Sequence, residues 1–191
     1  MTSSPSPLLL TLGHGTRSID DVIGLLKEHD IGFLVDVRSA PYSRYQPNFS
    51  QGPLRAHLQA HDITYLYMGK ELGGRPDDPD CYVDGKVIYD RLKARTEFQH
   101  GIGRLRTAWD QGRRVALLCS EIRPESCHRS KAIGPELRER GVDITHLDEN
   151  DALLSQDEVD LRIDNGQMSL FDDVPSANAS RSRKRYSQAA D

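Results

Sequence analysis

The chain has 191 residues and a formal net charge of −4, a length that suits one domain of about 150 residues with its own core plus an extension. Residues 149–173 hold eight acids and one base, residues 174–191 four bases and one acid, and residues 1–148 balance at zero, so the body has no bulk basic face for gripping a long duplex and any nucleic-acid contact must be local. No stretch approaches the ~18 apolar residues that cross a bilayer and residues 1–7 lack the basic and apolar regions of a signal peptide, so no membrane association and a cytoplasmic location are expected.

In chain order, Leu8-Leu9-Leu10-Thr11-Leu12 reads as a strand that ends at Gly13-His14-Gly15, and Ser18 with Asp21 forms a capping-box pattern ahead of the periodic residues Ile19, Val22, Ile23 and Leu26. A strand over 31–37, a short helix over 53–60 and a strand over 63–67 follow. The segment 38–49 between the first two is too rich in Pro and polar residues for a regular element. Residues 69–85 carry Leu72-Gly73-Gly74-Arg75-Pro76 and read as a lid or binding loop before a helical stretch over 87–110. The most hydrophobic strand, 114–119, leads into a polar loop, a helix over 127–140 that stops at Gly141, and a last strand over 142–147. Beyond Asp148 the periodicity fades, apart from one short helix near 156–163, and no order is expected in the tail, 175–191.

Strand and helix alternate throughout, so the expected fold class is α/β: one three-layer domain, residues 1–150, with a mostly parallel sheet, and a flexible tail, residues 151–191. Ligands of such sheets bind outside the carboxyl ends of the strands, where three loops would converge. In the first, Gly13, His14 and Gly15 let the backbone pass close to a phosphate, which the following helix N-terminus favours; the bland alternative is a tight turn. In the second, Asp36 lies two residues from Arg38 on the same strand face, to orient a guanidinium or to form a structural ion pair. In the third, Cys119 to Arg129, Cys127, His128 and Arg129 stand at a predicted helix start, where a thiol pKa falls and an anion is favoured. Glu121 is the first choice for proton transfer, Cys119 is read as a small core hydrophobe, and Cys127 as the reactive thiol.

Three cysteines, Cys81, Cys119 and Cys127, make a disulfide framework improbable. No cofactor and no metal are expected, since the gap between Cys119 and Cys127 is no familiar ligand spacing and no fourth ligand is evident beside His128. A phosphatase or sulfurtransferase cradle would need Arg six residues after Cys119, and position 125 is Glu. His146, ending the last strand, is placed within reach of the crevice.

The motifs Thr11-Leu12-Gly13-His14-Gly15, Asp36-Val37-Arg38, Pro41-Tyr42-Ser43, Leu72-Gly73-Gly74 and Leu118-Cys119-Ser120-Glu121 with Cys127-His128-Arg129 resemble the domain-of-unknown-function 488 family over roughly residues 8–148. The resemblance implies a pocket at His14, Asp36, Arg38, Cys119, Glu121, Cys127, His128 and Arg129, and no particular reaction. Outside that domain, Gln167-Met168-Ser169-Leu170-Phe171 resembles the peptide by which bacterial replication and repair proteins dock on the DNA sliding clamp, with Gln167 as a polar anchor and Met168, Leu170 and Phe171 as apolar ones. The basic run Arg181 to Arg185 reads as a solvated charge cluster.

The leading expectation is a DNA-associated, repair-linked enzyme, recruited by the clamp and hydrolysing a nucleotide or removing a damaged base, with phosphate held by Arg38, Arg129 and the Gly13 loop and protons moved by Glu121 or His128. The alternatives are a non-catalytic DNA or clamp adaptor and a thiol enzyme using Cys127 on a small molecule.

Overall fold

A computed structural model describes residues 6–164 and 180–186. The first apolar run forms β1 (Leu8–Gly13). Ser18 then starts α1 (Ile19–Glu28) with a complete capping box: its hydroxyl accepts from the Asp21 N–H while the Asp21 carboxylate accepts from the Ser18 N–H. β2 (Phe33–Asp36), α2 (Gln51–Gln59) and β3 (Thr64–Tyr67) follow as expected, and a short α3 (Gly69–Leu72) opens the Leu-Gly-Gly segment. That segment is not wholly irregular, since β4 (Tyr82–Val83) and β5 (Lys86–Val87) form a hairpin. Its turn is Asp84-Gly85, with φ of 51° and 73°, the pair of positive values that lets a two-residue turn follow the strand twist.

The helical stretch over 87–110 is two helices, α4 (Tyr89–Lys93) and α5 (Thr96–Asp110), separated where Arg95 is extended. β6 (Arg114–Cys119) comes next. The helix expected over 127–140 is broken into a 3-10 turn at Pro124–Ser126, a wide π turn at Arg129–Ile133 and α6 (Gly134–Glu139). Pro135 has no N–H to give to residue 131, so the chain cannot run as one regular helix through this point. β7 (Ile144–Leu147), β8 (Leu153–Ser155) and α7 (Gln156–Ile163) complete the domain.

The six-stranded sheet runs β3-β2-β6-β1-β7-β8, parallel except for β8. Alternate strand residues feed two cores. Leu9, Val35, Val115, Leu117 and Ile144 pack with Leu92, Phe98 and Ile102 of α4 and α5; Leu10, Leu12, Leu34, Ala116 and Leu118 pack with α1 and α2. Burial on both faces explains why these strands read as continuous apolar runs. No helix of the described residues is long and apolar enough to cross a membrane.

Residues 180–186 lie within the tail where no order was expected, and they pack on the domain. Arg181 bridges Ile88 in antiparallel fashion, the Ser182 N–H donates to the Val87 carbonyl at 2.9 Å, and the Tyr186 N–H donates to the Gly85 carbonyl at 2.7 Å. The segment extends the β4–β5 hairpin as a strap.

Candidate active site

β2 and β6 are paired neighbours, Asp36 opposite Leu118, so the residues just beyond their carboxyl ends meet. Asp36 is wholly buried and holds Arg38 by two bonds, Nε to Oδ1 at 2.8 Å and Nη2 to Oδ2 at 2.6 Å, while the Tyr65 hydroxyl donates to the same Oδ2 at 2.9 Å. Burial and the adjoining carboxylate push the Tyr65 hydroxyl pKa up, which keeps it a donor. Nη2 also donates to the Phe49 carbonyl at 2.8 Å. The remaining nitrogen, Nη1, is buried and has no hydrogen-bond partner among the described residues. The guanidinium is thus locked in place with one donor group unused.

At the end of β6 the 3-10 turn at Pro124–Ser126 folds the loop back, so that Cys127 lies against Cys119. The sulfurs are 3.0 Å apart, and His128 Nδ1 lies 3.5 Å from the Cys127 sulfur and 3.9 Å from that of Cys119. All three residues are buried and neither thiol is in a disulfide. The hydrogen bond from the Cys127 thiol, helped by His128 and Arg129, holds Cys119 well below the usual thiol range, while burial and the same shared proton push Cys127 well above it. Cys127 is therefore the donor of the pair and Cys119 the acceptor.

A cavity of about 210 Å³ opens over this cluster. Arg38, Cys119, Glu121 and His128 line it, with Arg75 from the loop after α3. Ser182, Arg183, Lys184 and Tyr186 of the strap close its other side. Lys184 pairs with Glu121, and the Arg75 guanidinium lies 4.7 Å from the Tyr186 ring centroid. Basic groups thus dominate a cavity whose one carboxylate among the lining side chains is Glu121. The Leu-Gly-Gly motif shapes this wall by close approach: a Cβ on Gly74 would come within 2.7 Å of the His128 ring, so the missing side chain lets the loop lie against that imidazole.

Arg38, Glu121 and His128 stand where the sequence placed them, in one site, and Asp36 positions Arg38 from behind. The cysteine positions are the reverse of those expected: Cys119 lines the cavity, whereas Cys127 sits behind it, 2% exposed. The cause is the 124–126 turn, which folds Cys127 inward. Arg129, expected to hold phosphate, is 0% exposed; one Nη2 bond at 2.7 Å goes to the Ile122 carbonyl, and its charge faces the thiols from inside the domain. Its Nε and Nη1 have no hydrogen-bond partner among the described residues.

The Gly13-His14-Gly15 loop is not the phosphate cradle that was expected. The His14 and Gly15 N–H groups donate to the Cys119 and Ser120 carbonyls at 3.0 and 3.1 Å. A Cβ on Gly13 would lie 1.8 Å from the Glu121 carbonyl oxygen. The close approach allowed by glycine is to the neighbouring loop. The His14 ring stacks on Phe49 with centroids 4.5 Å apart, and burial followed by the Arg38 charge lowers its pKa. His146 does not reach the crevice: it is buried between the Thr11 hydroxyl at 2.7 Å and Gln156 Oε1 at 2.9 Å. Gln167, Met168, Leu170 and Phe171 lie outside the described residues.

Sequence reasoning missed Arg75, Tyr186 and the strap residues. The run Arg181 to Arg185 was visible, but its pairing with the β4–β5 hairpin depends on backbone edges that leave no pattern in a polar sequence.

A parallel α/β domain with a basic, thiol-floored cavity at its carboxyl edge is the class that fold and site define. The family profile described as domain of unknown function DUF488 matches residues 18–133, and the chain belongs to that family. The match begins after the Gly13 loop and takes in Asp36, Arg38, Cys119, Glu121, Cys127, His128 and Arg129. No curated protein and no solved structure matches the chain.

Proposed function

We propose that this protein is a repair-linked enzyme that hydrolyses a phosphate-bearing nucleotide or removes a damaged base, and that the sliding clamp recruits it through the peptide at 167–171. The observation that carries the reading is Arg38, fixed by Asp36 with Nη1 unpartnered, in a basic cavity beside Glu121. Such a cavity recognises an anion, and Glu121 is its proton carrier. About 210 Å³ is below the usual ~300 Å³ of sites that enclose a whole ligand. One base or one phosphate group fits, so a base in DNA has to leave its stack to enter. Tyr42 and Tyr45, 74% and 92% exposed on the loop after Arg38, offer faces on which neighbouring bases stack.

The test is turnover of deoxynucleotides and of single-stranded oligonucleotides carrying damaged bases, in wild type and Glu121→Gln. Glu121→Gln is expected to keep substrate binding and to lose at least ~100-fold in rate, the usual contribution of a positioned acid or base. Binding without turnover in the wild type would instead make the chain an adaptor.

A second reading, thiol chemistry on a small anionic molecule, is favoured by Cys119, which lines the cavity and accepts the Cys127 hydrogen bond. It differs from the first in predicting a covalent adduct on Cys119, visible by intact-protein mass spectrometry.

A further inference from the structure

The geometry points to a metal site: we propose that Cys119, Cys127 and His128 bind a thiophilic divalent cation of the zinc class, with its open position facing the cavity. Three potential ligand atoms, Cys119 Sγ, Cys127 Sγ and His128 Nδ1, lie within 4.8 Å of one another. In a tetrahedral site with Zn–S near 2.3 Å and Zn–N near 2.0 Å, the ligand atoms stand about 3.6 Å (S to N) and about 3.8 Å (S to S) apart. The two sulfur–nitrogen separations, 3.5 and 3.9 Å, bracket this value. Only the sulfurs, at 3.0 Å, must separate. A cation bound by both sulfurs takes the place of the Cys127–Cys119 hydrogen bond, and two thiolates that share it stand farther apart.

The surroundings fit such a centre. The Gly74 backbone lies against the His128 ring on its Nδ1 side. Arg129, buried with two nitrogens unpartnered among the described residues, places a positive charge behind the sulfurs, which offsets the negative charge that two bound thiolates bring to the cluster. Three protein ligands with the next direction open to a cavity is the arrangement of catalytic zinc, whereas closed four-ligand sets are structural. Cys119 and His128 both line the cavity, so a water on the open position would sit among Glu121, Arg38 and the substrate. The role rests on the hydrolytic reading: the bound water gives its proton to the Glu121 carboxylate, the hydroxide forms the new bond to the substrate, and the leaving group takes the proton back from Glu121. The sum is substrate plus water to two products, with nothing oxidised.

The experiment uses the full chain, reduced, stripped with chelator and titrated with Co²⁺. Thiolate-to-cobalt charge-transfer bands together with tetrahedral d–d bands, saturating at stoichiometric metal and abolished by Zn²⁺, are expected. Cys119→Ser and Cys127→Ser should each remove the charge-transfer intensity of the paired site, His128→Ala should weaken binding by at least ~100-fold, and Cys81→Ser, a buried thiol outside the cluster, should change nothing. If a serine variant does not fold, Zn²⁺ protection is read on the wild type: Cys119 and Cys127 should become resistant to alkylation while Cys81 keeps its rate. Absence of the bands with free thiols verified, equal loss in Cys81→Ser, or a Cys119–Cys127 disulfide that forms in place of the complex under reductant would overturn the proposal. None of these readouts involves substrate, so failure here leaves the Glu121→Gln turnover test standing, and failure of turnover leaves the metal site standing.

Discussion

The loops after β1 and β6 leave adjacent strands at the same edge of the sheet, and each carries a histidine beside small residues. Their backbones run in register, with Gly13 opposite Cys119. The β1 loop has its polar groups occupied internally: two of its N–H groups are bonded to the β6 loop, and the Gly13 carbonyl accepts from Arg17 at 2.7 Å, an arginine that also reaches the Asp148 carbonyl and the Asp151 carboxylate. The end of β6 and its loop instead present a sulfur, a carboxylate and an imidazole to a cavity. A glycine-rich turn at a strand end is therefore no evidence of a ligand site by itself. What matters is which donors and acceptors the fold leaves unused.

The comparison breaks most readily at Gly13. Its added Cβ would meet the Glu121 carbonyl, backbone against backbone, and neither strand can yield without disturbing the sheet. Gly13→Ala should lose about 4 kcal/mol in urea unfolding. Gly24→Ala, on the open face of α1 where a Cβ meets nothing within 4 Å, should gain up to ~1 kcal/mol. A mild Gly13→Ala would mean that the two loops are not locked together and would reopen the β1 loop as a ligand site.

The buried polar group on the β1 side sharpens the contrast through pH. Burial pushes the His146 pKa down to about 4 from an ordinary 6.5. The unfolded chain therefore takes up its proton first as pH falls, so the stability due to neutral His146 is whole above pH 6.5 and is lost on the way down through pH 4. The loss amounts to about 3 kcal/mol across that window. Unfolding titrations of wild type and His146→Asn should diverge in slope there; parallel curves would show that the Thr11–His146–Gln156 chain accommodates a charged ring.

The sequence made most of the parallel sheet legible because its central strands are buried on both faces and write continuous apolar runs, and the Ser18–Asp21 box marked its helix start to the residue. β8 escaped notice because three residues, Leu153, Leu154 and Ser155, carry no readable period. At the site, residue type and strand-end position found Arg38, Glu121 and His128, since a charged residue at the carboxyl end of a buried strand has few other reasons to be there. The inversion of Cys119 and Cys127, and their meeting with His128, lay beyond reach because both follow from the 124–126 turn and the wide turn before Pro135. Linear spacing, which argued against a metal, does not measure distance across such a fold.

The strap supplies the smallest effect and decides how open the β6 side is. Ser182 is nearly buried; its hydroxyl accepts the Val87 N–H at 2.9 Å and donates to the Lys184 carbonyl at 2.9 Å. Lys184, exposed in its pair with Glu121, contributes less because solvent screens it. Ser182→Ala removes both hydroxyl bonds and leaves the Val87 N–H short of a partner, a change of about 1 kcal/mol in strap docking and hence about a fivefold rise in the detached fraction. Arg181, Arg183, Lys184 and Arg185 are trypsin sites within the strap, so cleavage there should accelerate by that factor while global unfolding stays put, provided that detachment is fast relative to cleavage. An unchanged cleavage rate would mean that the hairpin pairing rather than Ser182 holds the strap. The basic wall of Arg183 and Lys184 would then be as fixed a part of the cavity as Arg38.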